Sequence, residues 1–490
     1  MIVFSGQAML LATVILPALA QQTSFNSGPE EWTTFSRPIN RVAVIGAGPA
    51  GLQAAAHLLD ANLTVRLFEK APSPGGNWFY TEEIPVREEY PGTKYTAPEP
   101  QPAEYPATRY YAEGEGGISL DERWREHWQP RPVWHNLRTN TPAALTRLPG
   151  VHHSPDSPWW VSTHDLERHV RAFASLHGLN TNDKPLSPPH IPITSYLTRV
   201  EAIEKSNDAW TLTLRQLQWL PESHRLRADW WTETFDAVVV ASGLYSKAKI
   251  PTIRGIGNWS TATENRQYPM IHAQSFRHPE RYSGKTVLIV GASVSATHIS
   301  RTIAPFAHRV LASTRANKYR DGYGLNILFS FAEKTEIVPE IASFEPLANN
   351  DEGIRAGRIT LVNGTVIHGI DEIILATGYL TNTFLPDLVN PRKLDNLHWT
   401  GHYIHDPTLA YMLTLNKQYV AWLNSESLEL GGQFVEPVPL ETREIWSYFL
   451  NAHYKKDYLP HENWTRFDNL PFSEWPKPRS PDGEYKVVSW

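Results

Sequence analysis

The stretch Arg41-Val-Ala-Val-Ile-Gly-Ala-Gly-Pro-Ala-Gly51 constrains this chain more than any other. Val42 to Ile45 is a short apolar run that reads as a buried strand, and the glycines after it have the spacing of a nucleotide-binding turn. Gly46 makes the tight turn, Gly48 lets the backbone approach a pyrophosphate, and Gly51 permits close packing of helix on strand. Ala47, Pro49 and Ala50 complete the turn, and the run LQAAAHLLD continues as a helix whose N-terminal amides face the phosphates. A second strand, Thr64 to Phe68, ends on Glu69, 18 residues past Gly51. A carboxylate there accepts hydrogen bonds from a ribose diol and repels a 2′-phosphate, which suits FAD or NAD and disfavours NADP. Glycines reach this spacing by chance in ordinary loops; the strand, helix and acid in order make the reading specific.

A second unit of the same form runs from Gly284 through KTVLIVGASVSA to Ala296, then a helix, then Arg309 to Arg315. Its fingerprint is degraded. After Gly291, Ser293 stands at the middle glycine and Ala296 at the last, with Ser295 between them. No acid ends the second strand. Ser313, Thr314, Arg315 and Lys318 gather where an adenosine 2′-phosphate lies, and Arg offers phosphate paired donors, so NADP fits this unit as FAD fits the first. Phe235 to Gly243 and Asp371 to Tyr379 each read as a buried parallel strand closed by a glycine. This order predicts an α/β fold with two Rossmann-like dinucleotide-binding domains, the NADP domain inserted into the FAD domain. The expected boundaries are 39–245 for the first part of the FAD domain, 246–368 for the NADPH domain, and 369–490 for the second part with a C-terminal cover carrying Trp422 and Trp446.

Of 490 residues, 20% are charged and the net charge is -6, the balance of an ordinary globular protein. No basic run points to nucleic acid. Cysteine is absent, which excludes disulfides, thiolate catalysis and cysteine metal sites; redox work belongs to a bound cofactor, and no metal is expected. The apolar run Ala8 to Ala20, ending Ala-Leu-Ala, fits a signal peptide over residues 1–20, cleaved after Ala20. It is too short for a comfortable membrane span, which takes roughly 20 apolar residues. Its opening residues carry no Lys or Arg, so an uncleaved anchor or a misplaced start are the alternatives. Acceptor sequons at Asn62, Asn258, Asn363 and Asn463 are compatible with a secretory route, with no stable membrane span after cleavage.

Between these landmarks, the Gly75-Gly76 pair lets the chain pass close to the cofactor, with Asn77 and Trp78 beside it. Residues 81–131, rich in Pro, Glu and Tyr, read as a surface insertion without chemistry. Thr139 and Asn140 are loop residues ahead of Pro142, and Asn140 read alone is a turn residue. Thr163 to Leu176 has helical spacing, with His164 and His169 as solvated residues. Val200 to Ile203 and Trp210 to Leu214 alternate like paired strands.

Taken together, GAGPAG with Glu69, GGNW, LRTN at 137–140, HAQSFRHPERYSGKTVLIVGASVSA at 272–296, STR and LATGY at 375–379 resemble the flavin-containing monooxygenases. These motifs run in the family's order over residues 41–379. The family's identifying motif is half kept: His272 and Phe276 are in place, while Arg266 and Tyr268 stand where Phe and Gly are expected. The match around 272–300 is similar to the S-oxygenating plant and fungal branch. The resemblance implies Thr139 and Asn140 beside the isoalloxazine and nicotinamide, with Asn140 as the catalytic residue. It also implies NADP contacts from Thr314 and Arg315, cofactor contacts from Thr377 and Gly378, and a linker-supporting role for His272. The implied chemistry is hydride transfer from NADPH to FAD, then a C4a-hydroperoxyflavin that oxygenates a soft S or N nucleophile of a small or peptide-derived metabolite, of the kind made in secondary metabolism, with O2 as co-substrate. Baeyer–Villiger insertion beside a ketone is the near alternative, and a degenerate flavoprotein that binds without turnover is another. A disulfide reductase shares the plan but needs a CxxC, which this chain lacks.

Overall fold

The computed structural model describes residues 37–380 apart from 93–99, 140–142, 144–145, 155, 159, 181–192, 207–208, 244–245, 264–266, 316–330 and 348–352, together with the strand Leu409–Tyr411. The signal segment, Asn140, Arg266, Lys318, Asn463, Trp422 and Trp446 lie outside the described residues.

The first nucleotide unit is built on a five-stranded sheet in the order Leu409–Tyr411, Ala237–Val240, Arg41–Ile45, Thr64–Phe68, Thr194–Ser195, all neighbours parallel. Side chains alternate across it. Val44, Val65 and Leu67 pack with Ala55 of the helix Pro49–Asp60 and Val170 and Phe173 of the helix Thr163–Leu176. Ala43, Ile45, Phe68, Val238 and Val240 pack on the other side against Trp210, Leu212, Leu214 and Phe235. A parallel sheet covered on both faces needs apolar residues at every position, which is why its strands read as continuous apolar runs.

The layer over that second face is an antiparallel sheet in the order Ala107–Tyr111, Arg225–Phe235, Ala209–Leu220, Thr198–Ser206. Its edge strand overturns the reading of 81–131 as a surface insertion. Ala107–Tyr111 joins the sheet, and the helix Leu120–Trp128, capped by Ser119 Oγ on the Glu122 amide, buries Trp128. A Pro- and Glu-rich stretch with few apolar residues is anchored here by large aromatics, a pattern without periodicity. His169 is also corrected from solvated to buried. It stacks on His153 with centroids 4.0 Å apart, its Nε2 accepts the Leu148 amide at 2.9 Å, and burial first, then His153, holds its pKa down at about 4.

The second unit is a five-stranded parallel sheet in the order Met270–His272, Glu372–Leu375, Thr286–Val290, Arg309–Ser313, Glu336–Val338. Glu372–Leu375 lies inside this sheet, so the expected boundary at 368/369 falls too early and the inserted unit runs on through Leu375. A buried strand closed by glycine has the same sequence form in either sheet, and nothing local distinguishes them. The chain enters and leaves the insertion along an antiparallel pair, Lys247–Ala248 with Tyr379–Leu380. One face of the second sheet packs against an antiparallel layer of Ile341–Phe344, Arg358–Leu361 and Val366–His368. Its other face, with Ala296, Ile299 and Ile303 of the helix Val294–Ile303, shares one core with Trp78, Val133, Trp134, Leu137 and Val161 of the first unit.

Candidate active site

The first turn closes as its glycines require. Gly46 has φ +104°, and a Cβ on it would lie 2.6 Å from the Ala241 carbonyl oxygen. A Cβ on Gly51 would lie 1.8 Å from the Gly46 oxygen, so the helix is seated directly on the turn. The helix Pro49–Asp60 begins with Gly48 as N-cap, Pro49 in its first turn, Ala50 buried, and no side chain on its leading amides. Gly48 touches the GGNW loop: a Cβ on Gly76 would lie 2.7 Å from the Gly48 Cα, and Gly75 N–H donates to the Ala47 carbonyl at 3.0 Å. The glycine pair thus lets that loop lie on the nucleotide turn itself. Asn77 is half-buried beside it, and Trp78 enters the shared core.

Glu69 is 3% exposed at the end of the second strand. Its Oε2 accepts the Ala47 amide at 2.7 Å, and its Oε1 accepts the Ala71 amide at 2.8 Å and Arg131 Nη2 at 2.8 Å. Oε2, with one amide bond, keeps acceptor capacity for a ribose hydroxyl. Arg131 halves the argument about phosphate repulsion, since the acid is half of an ion pair. Next to it, burial and then Arg131 push the Lys70 ammonium down to about 7, and its Nζ donates to Gln129 Oε1.

The second turn repeats the geometry with weaker residues. Gly291 has φ +130°, and a Cβ there would lie 2.4 Å from the Ala376 carbonyl oxygen. Ser293 is the N-cap of the helix Val294–Ile303, whose first turn holds Ser295, and no side chain caps its amides. Ser313 spends its hydroxyl on the Pro339 carbonyl at 3.0 Å, and Thr314 is buried with its amide on the Val338 carbonyl. Arg315 is exposed at the strand end, and among the described residues it makes no ion pair. The structure therefore gathers Gly291, Ser293, Ser295, Ser313, Thr314 and Arg315 at one edge of the second sheet, and Gly46 to Gly51, Glu69 and Gly76 to Trp78 at the matching edge of the first.

Between them stands Thr139, 5% exposed, whose amide donates to the Val161 carbonyl at 2.9 Å while its hydroxyl accepts the Val161 amide at 3.1 Å. Thr377 and Gly378 lie on the exit crossing. Thr377 Oγ1 donates to the Lys249 carbonyl at 2.6 Å, and the Gly378 carbonyl takes the Lys249 amide at 2.9 Å and His272 Nε2 at 3.0 Å. His272 thus ties the second sheet to the linker, and burial holds its imidazole neutral down to about 4. Sequence reading missed three residues: Arg131, Arg277 and His298. His298 lies on the second unit's helix, accepts the Arg138 amide at 3.4 Å and meets the Trp134 ring at 5.5 Å. Burial, with Arg301 and Arg138 nearby, keeps it neutral down to about 3. Single basic residues, whether in a loop or on a helix, carry no pattern that would single them out.

Paired nucleotide turns facing each other across one core, in a chain without cysteine, describe a two-dinucleotide flavoprotein oxidoreductase. Residues 40–323 match the pyridine nucleotide-disulphide oxidoreductase family. The chain is 35% identical over 434 residues to the flavin-containing monooxygenase iboF of Amanita muscaria, covering 81% of this chain and 79% of that protein. It is 28% identical over 416 residues to the flavin-containing monooxygenase ustF2 of Aspergillus flavus, covering 76% and 77%. Among solved structures, the fold is similar to Tmm from Pelagibacter, with a TM-score of 0.53, 18% identity, and coverage of 91% of this chain and 82% of that one. The chain belongs to the flavin-containing monooxygenase family, whose members are oxidoreductases that use FAD and NADPH.

Proposed function

We propose that this chain uses NADPH and O2 to oxygenate sulfur or nitrogen of a small or peptide-derived molecule, with FAD at the turn Gly46 to Gly51 and NADPH at the turn Gly291 to Ala296. The observation that carries this reading is the chemical idleness of the protein at the join. The Thr139 hydroxyl is engaged by Val161, and His272 and His298 are held neutral by burial and bonded to backbone groups. Among the described residues both imidazoles are uncharged at neutral pH, the Thr139 hydroxyl is fixed as an acceptor from Val161, and the chain has no thiol. Flavin reduced by NADPH activates dioxygen, and that chemistry is the cofactor's own. The protein binds, orients and excludes water through the shared core of Trp78, Trp134, Leu137 and Val161. A soft nucleophile needs nothing further from a side chain, which favours thioethers and amines as substrates. The name of a 26% identical relative, senecionine N-oxygenase, agrees with that class.

The test is a panel of thioethers, tertiary amines and ketones incubated with the purified chain, NADPH and isotopically labelled dioxygen. We expect one labelled oxygen atom in a sulfoxide or N-oxide per NADPH consumed. Label found only in an ester or lactone moves the chain to ketone insertion, and a flavin that NADPH does not bleach anaerobically makes it a binder without turnover. We further propose entry into the secretory route, supported by the apolar run Ala8 to Ala20. Retention of residues 1–20 on a cytosolic product, read by N-terminal mass spectrometry from the source cells, would remove that proposal.

A further inference from the structure

Arg277 sits where the chain passes from the edge strand Met270–His272 of the second unit, and it is 8% exposed. Each of its five N–H groups is used, and every acceptor is a backbone carbonyl. Nε donates to Thr81 at 3.0 Å. Nη1 donates to Gln274 at 2.9 Å and Phe276 at 2.8 Å, and Nη2 to Glu83 at 2.5 Å and Arg131 at 3.2 Å. Among the described residues no carboxylate bonds to it directly, and Glu82 supports its charge only through space. Burial pulls its pKa down to about 10, which still leaves it charged at neutral pH.

A buried cation with no carboxylate in contact costs several kcal/mol unless dipoles replace water around it. Five carbonyls do so here, and a planar guanidinium donates to them from a fixed fork. The acceptors belong to three separate pieces of chain. Residues 81 and 83 follow the GGNW loop that lies on the first turn. Residue 131 carries the side chain that holds Glu69 and leads to Thr139. Residues 274 and 276 belong to the second unit. Within the shared core, a single side chain therefore ties the loops over the first turn to the segment that leaves the second sheet. Hydride transfer demands reacting atoms about 3–3.5 Å apart, and a displacement of about 1 Å costs on the order of 100-fold in rate.

We propose that Arg277 is the positioning residue for reduction of the flavin, acting by fixing the second nucleotide unit against the loops that cover the first. This goes beyond the substrate reading, because reduction is observed anaerobically with no substrate present, and it stands or falls independently of whether a thioether is oxygenated. The test uses Arg277→Lys and Arg277→Met in the full chain loaded with FAD. Lysine keeps the charge and the stem but offers three donors from a point, so it should not rescue. In both variants we expect flavin content and NADP+ affinity, read from the perturbation of the flavin spectrum, to stay within about twofold, while the first-order rate of flavin reduction at saturating NADPH falls about 10–100-fold. An unchanged reduction rate in either folded, flavin-loaded variant overturns the proposal. So does a parallel loss of FAD affinity, NADP+ affinity and thermal midpoint, or failure of both variants to fold, since each marks a residue that only holds the fold together.

Discussion

Glu69 and Arg131 form a buried ion pair, Oε1 to Nη2 2.8 Å, with side chains 3% and 8% exposed. The same carboxylate takes the Ala47 and Ala71 amides, while Arg131 Nε has no partner. The pair therefore carries a desolvation cost that its mutual contact and the two amides on Glu69 offset. Removing one member of such a pair costs about 3–5 kcal/mol, so Arg131→Met should lower unfolding stability in urea by that amount. Adding Glu69→Gln should restore part of it. A single-variant loss below about 1 kcal/mol, the size of an exposed pair, would falsify the account of a coupled buried site.

The neutral imidazoles make acid stability the next measurable property. In the folded chain His272 stays unprotonated down to about 4 and His298 down to about 3, while their ordinary pKa is 6.5. Below 6.5 the unfolded chain takes up protons that the folded chain refuses. Stability is therefore complete above that pH and falls steadily as pH drops towards 4. Each group accounts for on the order of 3 kcal/mol over the window. His272→Gln should flatten part of that slope in urea titrations between about pH 7 and about pH 4; an unaltered slope contradicts the assignment.

Arg315 is exposed at the end of the strand Arg309–Ser313, where a 2′-phosphate would meet it. Arg315→Ala should cost about 1.5–3 kcal/mol in NADPH binding, the range for a hydrogen bond to a charged group, and leave NADH untouched. Steady-state KM values for the two nucleotides decide it, and an equal rise for both would point to collapse of the strand end.

Asn140 follows Thr139, which is anchored to Val161 through both amide and hydroxyl. If the family role carries over, Asn140→Ala keeps its FAD and is still reduced by NADPH, but returns hydrogen peroxide in place of oxygenated product. Peroxide formed per NADPH consumed is the readout, and an unchanged yield reduces Asn140 to a turn residue.

Sequons differ in what their asparagines already do. Asn62 is exposed in a turn with φ 61°, and Asn363 is exposed with its Oδ1 on the local Thr365 amide at 3.1 Å, whereas Asn258 is half-buried and its Oδ1 accepts the distant Leu347 amide at 2.7 Å. Glycopeptide mapping of a secreted product should find sugar on Asn62 and Asn363 and a bare Asn258. Full occupancy of Asn258 would mean that the helix Ile256–Ser260 forms only after modification.

Both nucleotide turns were legible because glycine's φ freedom and close backbone approach leave few substitutes at Gly46, Gly51 and Gly291. The paired strands around Val200 and Trp210 were legible from alternation. What stayed hidden depends on contacts distant in sequence. Arg131 reaches Glu69 across 62 residues and Arg277 reaches Thr81 across 196. Glu372–Leu375 could join either sheet on its own pattern, and only its partners place it. His169 shares the buried helix face of Leu166, Val170 and Phe173, and its polar residue type, not its position, made it read as solvated.

The edge strand Leu409–Tyr411 has a consequence for biosynthesis. Among the described residues it is the last strand of the first sheet, against Ala237–Val240, whereas the second sheet has its five described strands once Leu375 has emerged. During vectorial synthesis the insertion can therefore close first, while its host waits with an open strand edge for more than 30 further residues, the interval from 375 to 409. Unpaired edges on a nascent chain invite wrong partners. The interval between finishing the guest and finishing the host therefore exposes an open edge on the nascent chain, and slower codons or chaperone capture over residues 376–411 would act on it.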